Sequence, residues 1–373
     1  EKLLRPTIRR LEKHATQYQI PLAQLYAVLG LVLLYDDKLR FSEAENYLQR
    51  ALVIRQINFG EKHILTISSH LYLAEYYNQT GMATKTFECI KNTEEYLTSY
   101  NNQFYEAWVN DIMGLASFFA GNKTDAVSCC EKGLLARRQF LKKGHPLILE
   151  SLHNVGYLLL LSRKASEAFE YLYQTYNDFR KVYTSEHQNY TITVGVLALC
   201  NLVLNKIETA ENILLKEVDA VLKYPRENYQ LYAVALEQLI NYHRKENSPT
   251  KEKRFTEIYI RLLQNRKSKF DQKYSRILNR YLYLVRHKGT FKEMLWVKKE
   301  LSEMLYVELQ QRIDKKTVSE NILNVYGIQF KNSLNDYERA EECYVMNMKL
   351  NPDSSVLYSN YALLLTSIKK EDN

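Results

Sequence analysis

The sequence predicts an all-α fold, a solenoid of antiparallel helix pairs. Three observations lead there. A small residue returns at one phase, at Ala44, Thr86, Ala126, Ala168, Ala210 and Ala340, with Glu252 and Met294 holding that phase between the last two; the steps are 42, 40, 42, 42, 42, 42 and 46 residues. A second marker runs 12 residues ahead of the first, at Leu73-Ala74, Met113-Gly114, Val155-Gly156 and Leu197-Ala198, and more loosely at Leu239-Ile240 and Tyr281-Leu282. Two helices whose backbones approach closely need small residues on both sides of the crossing. Third, 11 Gly and 6 Pro among 373 residues leave little material for hairpins, so strands are not expected.

The units follow in order. Residues 1–20 read as the second helix of a truncated repeat or an N-terminal cap, and the start at Glu1 reads as the cut edge of a longer chain. Residues 21–241 form regular repeats. Residues 242–273 are a degenerate basic repeat, because Glu252 replaces the small residue and Pro249 stands where a core aromatic is expected; an irregular turn is expected across Glu246–Arg254. Residues 274–373 carry C-terminal repeats and a capping helix. Gly81, Gly121 and Gly289, with Asn205 and Asn247, fall where a left-handed residue ends the first helix of a pair.

The stretch NDYERAEECYVMNMKLNPDSSVLYSNYALLL, from Asn335 to Leu365, resembles the tetratricopeptide repeat, with an aromatic, then Ala340, Tyr344 and Pro352 in sequence. That family's usual period is about 34 residues. The longer period here, together with FSEAENYLQRALVIRQINFGEKHILT (Phe41 to Thr66) and EKGLLARRQFLKKGHPLILESLHNVGYL (Glu131 to Leu158), resembles the repeats of kinesin light chains. The resemblance implies a right-handed superhelix whose first helices line a concave groove.

Catalytic signatures are missing. The chain has no GxxxxGK[ST], GxGxxG after a strand, HExxH or GxSxG. His63, His145 and His187 recur nearly in phase, as repeated loop or helix-cap positions do, and lack metal-site spacing. Cys89, Cys129, Cys130, Cys200 and Cys343 are odd in number without a CxxC, and read as reduced core thiols. Sequons at Asn78, Asn122 and Asn189 are short enough to arise by chance. Most of the 30 tyrosines, such as Tyr72, Tyr76 and Tyr77, sit at helical spacing and read as packing residues. No run of about 18 to 20 apolar residues suggests a membrane span.

On the positions that the resemblance assigns to the groove, the third to fifth units present mostly apolar residues. These are Trp108, Ile112, Leu115, Phe118 and Phe119, then Asn154, Tyr157, Leu160 and Leu161, then Ile192, Val196, Leu199, Leu202 and Val203. In similar repeats an Asn at the place of Asn154 grips a peptide backbone. Later units present Gln238, Asn241, Arg244 and Lys245, then Arg276, Asn279, Arg280, Tyr283, Arg286 and His287. Arg244 to Lys298 holds 16 Lys and Arg against 5 Asp and Glu, whereas the whole chain is only +8, so the positive charge is local and suits an acidic partner.

The expected function is therefore a non-catalytic, intracellular and cytoplasmic scaffold or adaptor. It would bind peptide or helical segments along the groove, in a cytoskeletal, motor or ciliary assembly, with no cofactor and no small-molecule substrate. The alternative is a peptide-sensing regulatory or effector domain of a larger protein. Nucleic-acid binding would rest on the basic window alone, which lacks aromatic platforms for bases.

Overall fold

The computed structural model describes residues 2–36, 40–100, 102–182, 188–223, 230–264 and 272–371. Among them every regular element is helical and none is a strand. The chain divides into two compact units, Glu1–Leu204 and Asn205–Asn373. The first opens with α1 (Leu4–Glu12) and then pairs α2 (Gln19–Asp36) with α3 (Phe41–Phe59), α4 (Ile64–Gln79) with α5 (Ala83–Tyr100), α6 (Gln103–Phe119) with α7 (Lys123–Phe140) and α8 (Pro146–Leu161) with α9 (Ala165–Val182), closing on α10 (Gln188–Val203). The second opens with α11 (Ile207–Lys223) and pairs α12 (Gln230–Lys245) with α13 (Pro249–Gln264) and α14 (Gln272–Lys288) with α15 (Phe291–Asp314). There α16 (Glu320–Ile328) runs into a π-helical segment, Gln329–Leu334, which pairs with α17 (Tyr337–Leu350) ahead of α18 (Ser355–Glu371).

The phase markers sit where close crossings require them. Ala44, Thr86, Ala126, Ala168, Ala210 and Ala340 are all fully buried. At the partner position, a methyl group on Gly156 would lie 2.7 Å from Leu172 Cγ, which leaves no room for a side chain. Four of the turns inside the pairs share one geometry. The N–H groups of Met82, Asn122, Lys164 and Ser248 donate to the carbonyls of Tyr77, Ser117, Leu159 and His243, five residues back, at 2.8, 2.8, 2.9 and 2.9 Å. A left-handed residue precedes each donor: Gly81, Gly121, Arg163 and Asn247. This is the Schellman closure of a helix C-terminus.

Two turn expectations need correction. The stretch 246–254 is regular, with the same turn as its neighbours, and Pro249 opens α13 at the position where a missing N–H costs nothing. Gly289 is not left-handed; its N–H donates to Val285 O at 2.8 Å, and Thr290 at once begins α15. Arg163 holds a left-handed φ of 65° that its residue type did not advertise.

Between pairs of the first unit, polar side chains set the joints. His63 and His145 cap α4 and α8, their Nδ1 atoms accepting from Leu65 and Leu147 N–H at 3.2 Å; His187 lies outside the described residues. Buried Arg55 on α3 donates to Leu65 O at 3.0 Å, Ser69 Oγ at 2.8 Å and Gln24 Oε1 at 2.8 Å. Two pairs later Arg137 on α7 repeats the arrangement with Leu147 O, Ser151 and Asp111. Asn78 is buried and donates to Ile112 O at 2.9 Å, so its sequon is a packing feature. Cys130, Cys200 and Cys343 are buried, and burial pushes the Cys343 thiol up to about 12; Cys89 and Cys129 are half-buried, not core residues. At the N-terminal end, α1 buries Ile8, and Glu12 accepts from Tyr26 Oη at 2.7 Å and Arg50 at 2.9 Å.

α15 starts with a reciprocal cap in which Glu293 N–H donates to Thr290 Oγ1 at 3.2 Å and Thr290 N–H to Glu293 Oε2 at 2.7 Å. Lys253 of α13 lies 2.7 Å from the same carboxylate.

Two outcomes are expected. Ala168→Trp overpacks a closed crossing and should cost about 1–3 kcal/mol or more in chemical denaturation; an unchanged midpoint would show that the helices do not touch there. The Lys253 bond, followed by the Thr290 N–H, holds Glu293 down to about 2, below its ordinary 4.5. A lowered folded pKa stabilises above the unfolded value and is lost as pH falls toward the folded one. The thermal midpoints of wild type and Glu293→Gln should therefore differ above pH 4.5 and converge as pH approaches 2.

Candidate docking faces

In the first unit consecutive first helices α2, α4, α6, α8 and α10 touch one another, forming a continuous row. Burial divides the expected surface residues of that row. Phe119, at the end of α6, is 50% exposed, and Asn154, Tyr157 and Leu161 of α8 and Leu199 of α10 are half-buried. Tyr157 stacks on His153, ring centroids 6.1 Å apart, and burial raises its pKa. Ile112 and Val196 are core residues, 4% and 0% exposed, so they cannot line a surface. Helical periodicity placed them on the right helix, but a neighbouring first helix covers that side; Ile112 packs with Ile67, Leu71, Ala74 and Ile90. Sequence reading named Trp108 for the groove and Tyr72 for packing, but passed over the aromatic cluster they form with Phe104 and Tyr105. Trp108 Nε1 donates to Glu75 at 2.6 Å, and its ring lies 5.3 Å from Tyr72, 6.0 Å from Tyr105 and 6.3 Å from exposed Phe104. Only the alternation of Phe104, Tyr105 and Trp108 within one turn could have signalled it.

In the second unit α14 carries an exposed stripe. Arg276, Asn279, Tyr283, Arg286 and His287 lie along one side, three to four residues apart up to the last step, where periodicity aligns them. The Tyr283 and His287 rings pair at 4.8 Å. Asn279 Nδ2 donates to Ser275 O at 3.0 Å, leaving its carbonyl oxygen outward. Arg286 reaches Ser333 O at 3.4 Å, and neither it nor Arg276 forms an ion pair among the described residues.

Arg244 and Arg280 differ. Both bind Glu252, the residue that interrupts the small-residue series. Arg280 donates to its two carboxylate oxygens at 2.7 and 2.8 Å, and Arg244 donates at 3.0 Å. Glu252 is 2% exposed. Burial pulls its pKa upward, but the bonds from Arg280 and Arg244 outweigh that and leave it lowered. The three side chains tie α12, α13 and α14 together, so these arginines are structural cations. Lys245 is exposed in the last turn of α12.

Beside the stripe a cleft of about 770 Å³ opens between α14, α15 and the π-helical segment. Arg276 and Asn279 form one wall, Gln329 and Ser333 the other, with Leu301 and Leu305 of α15 between them. Its origin is the 46-residue step between Met294 and Ala340. The extra length goes into α15, at 24 residues the longest helix described, and into the π-helical turn, whose hydrogen bonds span one residue more than those of an α-helix. Glu308 and Arg312 pair at 3.2 Å on the cleft's rim, next to Tyr326, whose hydroxyl burial pushes up to about 12. No cluster of His, Cys, Asp and Glu that could hold a metal occurs among the described residues.

Glu252→Ala should cost about 1–3 kcal/mol by leaving two arginines without their acceptor. Urea denaturation measures it; a wild-type midpoint would mean that the arginines resolvate freely.

A family model described as tetratricopeptide repeat matches residues 23–65, the α2–α3 pair and the start of α4. No curated protein sequence matches the chain. Among solved structures, the apo form of RapI superposes with a TM-score of 0.54 at 11% identity, over 88% of this chain and 97% of that one. The nearly identical repeats of a putative kinesin light chain from Podosopora anserina give 0.42 at 20% identity, over 58% of this chain and 97% of that one. A Rap protein complexed with competence and sporulation factor gives 0.47 at 11% identity, over 93% and 98%. The likeness to RapI is one of helical-repeat fold.

Proposed function

We propose that this chain is a non-catalytic scaffold or adaptor that binds peptide or helical segments of other proteins along the exposed faces of its first helices. Helical repeats of this kind are interaction scaffolds, since stacked pairs leave one side chain stripe per helix uncovered. The observation that carries the reading is the α14 stripe. It presents Arg276 and Arg286, which form no ion pair among the described residues, and the Asn279 amide oxygen beside an open cleft with an apolar floor, which suits an extended acidic segment. The apolar row of the first unit, with Phe119, Asn154, Tyr157, Leu161 and Leu199, suits an apolar or helical segment. Acidic protein segments are favoured over nucleic acid because the stripe's single exposed tyrosine is no base-stacking ladder. The lengthened, kinesin light chain type of repeat supports a cytoskeletal, motor or ciliary setting as the first to test.

Kinetics with an acidic partner peptide test this. Arg276→Glu with Arg286→Glu should slow association by about tenfold at low salt and lose that effect near physiological salt. Arg280 is excluded because its reversal would set two carboxylates together at Glu252. With an apolar helical segment, Phe119→Ala or Tyr157→Ala should instead speed dissociation with little salt dependence. Unchanged association in the charge-reversed chain at low salt would remove α14 from the binding face.

A further inference from the structure

The turn joining α14 to α15 places an exposed aromatic and aliphatic pair among cations. Phe291 is 74% exposed and Leu295 58%, and the two stand one helical turn apart on the same side of α15, with Lys299 a turn further on. Lys292 lies beside them and Arg286 and His287 precede them, all exposed. Between Arg286 and Lys299 there are five Lys and Arg and a single carboxylate, Glu293. That carboxylate is already matched by Lys253 at 2.7 Å, so the stretch from Arg286 to Lys299 is net positive. The Thr290–Glu293 cap holds the start of α15 in place and fixes the direction in which Phe291 projects.

We propose that this corner docks the protein on an anionic lipid surface, with Phe291 and Leu295 entering the headgroup boundary and Arg286, Lys292 and Lys299 meeting lipid phosphates and carboxylates. A protruding aromatic and aliphatic pair needs a hollow to fill, and a bilayer forms one around whatever inserts. Basic side chains at the rim supply the electrostatic half of the attraction, as in interfacial helices. No described helix is long and apolar enough to cross a membrane, so the contact is peripheral. An acidic segment without an apolar pocket would satisfy the cations but leave Phe291 in water.

Co-sedimentation with phosphatidylcholine vesicles, with and without phosphatidylserine, tests the assignment on the whole chain. Binding is expected only with phosphatidylserine and should weaken as salt rises. Phe291→Ala should reduce it about tenfold, and Lys292→Glu and Lys299→Glu by roughly fivefold per lost cation. All three side chains are exposed, so thermal midpoints should stay at the wild-type value and certify the fold. In Phe291→Trp, the emission difference from wild type should shift to the blue on phosphatidylserine vesicles and not with soluble polyglutamate. The proposal fails if phosphatidylserine vesicles are not bound at low salt, or if a normally folded Phe291→Ala chain binds them at full strength. A Phe291→Trp chain that binds vesicles without the blue shift, or binds polyglutamate as tightly as vesicles, would make the corner a purely electrostatic surface and overturn it.

Discussion

Most of the helix pairs depend on two backbones coming so close that only a small side chain, alanine or threonine, fits at the crossing. Gly156 against Leu172, with Ala168 on the facing helix, shows how tight the crossing is. The close approach buries a continuous apolar seam in each pair, and that burial stabilises a chain with few contacts far apart in sequence. Everything else is arranged around it. The Schellman turns return the second helix at the needed angle, and the polar joints of the first unit set where the next pair begins. Where the small residue is lost, as at Glu252, the structure compensates by converting the crossing into a three-helix ionic knot.

This dependence explains what the sequence disclosed about the fold. A residue that must be small is visible as composition at a fixed phase, so the pairs at Ala44, Thr86, Ala126, Ala168 and Ala340 could be placed without a structure. Backbone conformation is less legible. Asn247 and Gly121 announce left-handed positions, whereas Arg163 adopts one because the turn geometry dictates it, and Gly289 avoids one because the cap of α15 begins immediately. The turn at 246–254 looked irregular only because its residues are polar; Pro249 and Asn247 are in fact suited to the first and last positions of adjoining helices.

The candidate faces were half legible. Periodicity brings Arg276, Asn279, Arg286 and His287 to one side of α14, and that much needs only 3.6 residues per turn. Periodicity cannot say which cations already have partners. Arg244 and Arg280 share the right phase with Arg276, yet Glu252, close in space and 28 residues from Arg280, consumes them. Nor can it say which apolar positions a neighbouring helix covers, which is why Ile112 and Val196 moved from surface to core. The cleft had one sequence trace, the four extra residues between Met294 and Ala340. An insertion of about one helical turn can lengthen a helix, a loop or both, and only packing decides.

The buried arginines of the first unit have a mechanical consequence. Arg55 clasps α2, α3 and α4, and Arg137 clasps α6, α7 and α8, through carbonyl, hydroxyl and side-chain acceptors that lie in fixed directions. One repeat further along from each, at Leu97 and Phe179, the corresponding residues are apolar. Directional bonds resist rotation as well as separation, whereas apolar contacts resist separation but let surfaces slide. Other directional bonds hold these joints: Asn78 Nδ2 to Ile112 O at 2.9 Å and Trp108 Nε1 to Glu75 at 2.6 Å between α4 and α6, and Thr193 Oγ1 with His153 Nδ1 at 3.0 Å between α10 and α8. Bending strain imposed on this unit would therefore be shared along the row of first helices, with the two arginine clasps as its stiffest points.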